Sequence, residues 1–154
     1  WSDLIWPHRW SLYTQNVSIN GLRVYDYNFL TLNGVGAGVV SHELFHSFGA
    51  PDLYRYSDNK ISPCGSWDLM ASGDWNNPRH TSLYYKQKFG GWGTEIPTIS
   101  TPGTYTLEPV STNPFAAYKI PIPNSTTAFL MVEYKKKKVF TKVTYLVKAW
   151  LSIV

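Results

Sequence analysis

Apolar and polar residues alternate along VSINGLRVYDYNF, residues 17–29, with Asn20 and Gly21 at its centre. Alternation on both sides of an Asn-Gly pair predicts a hairpin, or edge strands, bordering a cleft. Between Gly34 and Phe48 the period changes. Val40, Leu44 and Phe48 recur at four-residue intervals, which predicts a helix with that stripe toward a core and its polar residues on a neighbouring face. Gly49 ends it, because glycine accepts a positive φ, and Pro51 stiffens the return. Arg55 to Trp75 carries the Gly, Pro, Ser, Asp and Asn of a long ordered loop. Thr81 to Phe89 reads as a second helix closed by Gly90 and Gly91, and TYTLEPV, AYKIPIP and AFLMVEY read as antiparallel strands. The expected fold class is therefore α+β. A boundary near Gly93 to Gly103 divides it into a mixed part, residues 1–93, and a β-rich part, residues 94–154.

The first helix carries the chemistry. HELFHSFGAPD sets His42 and His46 four residues apart, on one helix face, so both imidazoles can aim at one cation. A catalytic zinc takes three protein ligands and a water. Glu43 follows the first histidine and stands where a general base for that water belongs. The reversal at Gly49 returns Asp52 toward the histidines as the candidate third ligand, although the pair alone does not require it. Each element also has an ordinary explanation: histidines four apart form surface pairs, and Pro-Asp is frequent in turns. The combination is much rarer than its parts. Farther on, Met70 lies in the turn-rich SWDLMASGDW, similar to the methionine turn that passes beneath the metal in metzincin peptidases.

Composition bounds the remainder. A chain of 154 residues with 44% hydrophobic residues is long enough to bury a core. Aromatic content of 16%, with charged residues also at 16%, suits extracellular proteins that bind extended polymers. One cysteine, Cys64, excludes an internal disulfide. Neither it nor Ser41 sits in a nucleophile motif, so both read as structural. No run reaches the roughly 18 apolar residues of a membrane span. The net charge of +4 is mild, and Lys135 to Lys138 reads as a solvated strand edge and not as a nucleic-acid site.

IWPHRW, HELFHSFGAPDLY, GSWDLMASGDW and SLYYKQKFGGW together resemble the immune inhibitor A family of secreted bacterial metallopeptidases, from about Asp3 to Glu133. The resemblance implies a zincin or metzincin-like core of active-site helix, methionine turn and second helix, followed by a small antiparallel β region. It implies His42, His46 and Asp52 as zinc ligands, Glu43 as base, Gly49 and Met70 in support, protein or peptide substrates, and an extracellular location. Zinc would lower the pKa of its water toward about 7, while Glu43 takes the proton and passes it to the leaving amine. Tyr54 and His80 are the candidate donors to the developing oxyanion.

Two other readings compete. One is a catalytically impaired metal-binding fragment or extracellular binding module; the other is a thermolysin-type scheme with a downstream glutamate as ligand. The first glutamate after Glu43 is Glu95, set among Gly, Thr and Pro and not on a plausible helix. Calcium could take the oxygen ligands near Asp58, Asn59, Asp74, Asn76 and Asn77, which turn chemistry explains equally well. The chain begins at Trp1 without a leader, and its resemblance to the family lacks upstream elements, so a fragment of a larger catalytic domain is expected. The terminal VFTKVTYLVKAWLSIV departs from the family pattern, as a truncated or frame-shifted end would.

Overall fold

The computed structural model describes residues 5–32, 35–58 and 61–136. Expectations about Asn59, about Lys137 and Lys138, and about the terminal segment lie outside them. The described residues divide between Thr81 and Ser82 into two compact units.

In the first unit the Asn-Gly turn forms as its sequence requires. Asn20 and Gly21 have φ of 52° and 79°, the two positive values of a hairpin turn matched to strand twist. They join β2 (Val17–Ile19) to β3 (Leu22–Val24), and the same antiparallel path continues in β1 (His8–Ser11) and β4 (Asp26–Phe29). His8 pairs with Phe29 and Ser11 with Asp26 in register. Ser11 is buried and donates to Asp26 Oδ1 at 2.6 Å, while Arg9 meets Oδ2 at 2.7 Å.

Helix α1 (Ala37–Ser47) packs against β1 and β4. Its buried residues are Gly38, Glu43 and Phe45. The expected core stripe faces outward: Val40, Leu44 and Phe48 are 38%, 51% and 48% exposed. Close backbone approach at Gly38, together with the buried Phe45 ring, selects the buried face. The Gly38 amide donates to the Trp75 carbonyl at 2.9 Å, a contact that apolar periodicity cannot reveal. Phe45, Ala50, Met70 and Ala71 are buried in this unit.

In the second unit, α2 (Leu83–Lys88) is capped by Ser82, whose side chain accepts from the Tyr85 amide. Leu83 packs with Ile96, Ala117 and Met131 in one buried cluster, which is why the helix groups with the following strands. AYKIPIP and AFLMVEY supply β5 (Tyr118–Pro121) and β6 (Phe129–Val132), paired antiparallel. TYTLEPV does not form the expected strand. It is tied to Tyr134 by an isolated parallel bridge at Pro109 and a bond from the Val110 amide, since proline offers the ladder no N–H. Lys135 is buried, against the solvated run expected there. No helix among the described residues is long and apolar enough to cross a membrane.

Candidate metal centre

Helix α1 ends in a Schellman motif. Gly49, with φ of 91°, donates to the His46 carbonyl at 2.9 Å, and Ala50 reaches back to Phe45 at 3.4 Å. The chain thereby doubles back on its own last turn. Asp52 Oδ1 arrives 3.0 Å from His42 Nε2 and 3.5 Å from His46 Nε2. The two Nε2 atoms stand 3.1 Å apart. Three donor atoms bound at roughly 2.1 Å to a tetrahedral ion would lie about 3.4 Å from each other. The observed triangle is within a few tenths of an ångström of that.

The protons say what belongs at its centre. His42 Nδ1 lies 2.8 Å from the Leu69 carbonyl, and His46 Nδ1 lies 2.7 Å from the Ala50 carbonyl. A carbonyl only accepts, so each Nδ1 carries the hydrogen and each neutral ring turns an Nε2 lone pair inward. Asp52 Oδ1 is shielded from solvent and makes no hydrogen bond. Three acceptors thus converge where only a cation, proton or metal, relieves their repulsion. Without a metal, the same arrangement favours binding a proton. Burial opposes a charged His42, but Asp52 and the Leu69 carbonyl outweigh it and raise the pKa above 6.5. His46 behaves alike, with Ala50 in place of Leu69. Partial burial would raise Asp52, yet the two imidazoles and the Tyr56 hydroxyl reverse this and hold it below the usual carboxylate range.

Behind the histidines runs the loop that contains Met70. Buried Asp68 accepts from the Met70 amide at 2.9 Å and from the Thr81 hydroxyl at 3.0 Å. The Met70 carbonyl accepts from Leu53 at 2.6 Å. The Leu69 carbonyl that orients His42 is therefore fixed from both sides, and the Met70 side chain is wholly buried.

A cleft of about 490 Å³ opens beside the cluster, lined by His42, Glu43, Tyr54, Leu69 and Trp75 among others. Glu43 is only 7% exposed. Tyr54 has its pKa raised, first by burial and then by the Asp52 charge, so its hydroxyl stays protonated. His80 is exposed and does not line this cleft. Near it, Asp74 is engaged by a turn: Oδ1 accepts from the Asn76 and Asn77 amides at 3.0 and 3.1 Å, and Oδ2 faces Arg79 at 3.4 Å. Among the described residues, the one group of three His, Cys, Asp or Glu side chains arranged to hold a metal is His42, His46 and Asp52.

Sequence reasoning missed two participants. Tyr56 donates its hydroxyl to Asp52 Oδ2, and Asp68 holds the methionine-containing loop. The i to i+4 spacing from Asp52 to Tyr56 is visible in the sequence but carries no signal off a helix. Asp68 meets a partner thirteen residues away.

A family model described as immune inhibitor A peptidase M6, catalytic domain, matches residues 1–88. Immune inhibitor A of Bacillus thuringiensis subsp. alesti is 26% identical, across 61% of this chain and 17% of that protein. Pre-pro-metalloprotease PrtV of Vibrio cholerae serotype O1 is 32% identical, across 48% of this chain and 9% of that protein, in two strains. The chain thus spans less than a fifth of the length of these curated relatives. No solved structure matches it significantly.

Proposed function

Because the chain belongs to the immune inhibitor A peptidase M6 family, matched over more than half its length, we propose that it acts as a zinc-dependent endopeptidase. The observation that carries this reading is the triangle of inward-facing acceptors on His42, His46 and Asp52. These three would hold the ion. When bound, zinc supplies a Lewis acid for the scissile carbonyl and acidifies a water for attack. Glu43, on the cleft wall next to His42, removes a proton from the attacking water and delivers it to the departing amine. The Tyr54 hydroxyl donates to the carbonyl oxygen as negative charge grows there, a role its place in the cleft favours over His80. Met70 and Gly49 act in support, one by filling the space under the site as a metzincin-like methionine turn and the other by reversing the chain. Leu69, Ala71 and Trp75 give the cleft a largely apolar wall, suited to peptide segments with apolar side chains. The precursor named in the Vibrio relatives supports an extracellular destination for this chain too.

A second reading, a binding module, is favoured by the exposed rings of Trp10, Tyr13 and Tyr25, packed edge to face at 6.1 Å along the hairpin. One variant separates the two. Glu43→Gln should bind zinc as the parent does while casein hydrolysis falls by roughly 10²–10⁴-fold, the usual contribution of a general base. A chelator should abolish the parent's hydrolysis. Hydrolysis undiminished in Glu43→Gln would remove this mechanism.

A further inference from the structure

We propose that Tyr56 is the positioning residue that makes Asp52 a one-oxygen ligand. The proposal rests on the zinc reading above and assigns a role to a residue outside the HELFHSFGAPD run.

The two oxygens of Asp52 are treated differently. Oδ2 accepts the Tyr56 hydroxyl, while Oδ1 is buried, makes no hydrogen bond and faces both Nε2 atoms. A carboxylate oxygen that already accepts a phenol hydrogen is the poorer and less mobile donor, so the unengaged oxygen is the one best placed to face a metal. That matters for geometry: a second oxygen entering the ion's shell would occupy the position that a catalytic zinc keeps open for water or substrate. Partners of metal-binding side chains commonly fix orientation in this way, as the Leu69 and Ala50 carbonyls do here for the two imidazoles. Tyr56 completes the pattern, so that every member of the triangle has one named partner on its outer side. The Tyr56 ring is itself steadied by Tyr54, edge to face at 5.3 Å between centroids. No core packing depends on it, since Tyr56 is 81% exposed. Replacing it by phenylalanine therefore removes the hydroxyl and little else.

The test uses the whole chain and two metals. Zinc affinity is measured by chelator competition in the parent, Tyr56→Phe, Asp52→Ala and the double variant, and cobalt(II) is bound in place of zinc to report coordination number. Tyr56→Phe should bind zinc about 10-fold or more weakly, the range typical of lost outer partners. Its cobalt d–d band should lose intensity, as four-coordinate geometry gives way to a higher number. In the Asp52→Ala background the same substitution should have no effect, because the hydroxyl acts only through that carboxylate. Parent-like affinity and cobalt spectrum in Tyr56→Phe would overturn the proposal and leave the zinc reading standing. Weaker binding with an unchanged spectrum, or a further loss in the double variant, would overturn it as well. A parent that binds no zinc would end both.

Discussion

Replacing Gly38 by alanine sets two physical rules against each other. Alanine is the better helix former by about 1 kcal/mol, and Gly38 lies inside α1, so local propensity expects a more stable protein. The packing expects the reverse. A Cβ at Gly38 would stand 1.9 Å from the Asp74 carbonyl oxygen, where contacts under 3.0 Å are essentially never found. Helix and loop must separate by more than 1 Å, and neighbouring Gly36, whose Cβ would stand 2.0 Å from the Trp75 oxygen, shows that the approach is continuous. Overpacking of this kind costs about 1–3 kcal/mol, and losing the bond from the Gly38 amide to Trp75 adds about 0.5–1.5 kcal/mol. After the propensity gain, a net loss of roughly 1–3 kcal/mol remains. For a unit of this size that lowers the midpoint of thermal unfolding by roughly 5–15 °C. Circular dichroism melts of metal-free Gly38→Ala and parent measure it directly. An unchanged or higher midpoint would show that α1 does not seat against residues 74 and 75 as described.

Asp68→Ala removes the acceptor for the Met70 amide and the Thr81 hydroxyl in a buried place, so a loss of about 2–4 kcal/mol is expected, with weaker zinc binding because the Leu69 carbonyl is released. Melts and zinc titration check it; intact affinity would separate that loop from the metal centre. The pH dependence has opposite signs with and without metal. Asp52 raises both histidine pKa values above 6.5 in the metal-free protein. That attraction stabilises the fold below about pH 6.5 and is lost as pH climbs through the raised values, and at the acid end as pH falls through the depressed Asp52 value. Zinc needs both rings neutral. Its stabilising effect, read as the shift in melting temperature, should therefore grow from about pH 6 to about pH 8 while the metal-free midpoint declines. A zinc shift independent of pH would contradict histidine ligation.

Much of this was legible because it is local. His42 and His46 share a helix face by spacing alone, and the Asn20–Gly21 turn follows from the two positive φ values those residues tolerate. What escaped depended on contacts distant in sequence or on backbone. The stripe of Val40, Leu44 and Phe48 points to the wrong face of α1, because the helix hides Gly38, Glu43 and Phe45 instead. Lys135 looked solvated for its charge, and TYTLEPV looked like a strand for its alternation, yet Pro109 interrupts the donors such a ladder needs.

The cluster itself owes more to the main chain than the motif suggests. Had α1 continued through residue 52, six residues of rise would carry that position about 9 Å beyond His46 along the axis. With the reversal at Gly49 the Asp52 carboxylate lies 3.5 Å from the His46 ring. The same reversal leaves the Ala50 carbonyl under His46 Nδ1. One glycine thus brings in the carboxylate and orients an imidazole together, and the second imidazole is set by another main-chain carbonyl, at Leu69. Any residue at positions 50 and 69 offers that carbonyl. Their side chains need carry no mark of the task, so those two contacts, unlike the histidines they aim, could not have been read from residue identities.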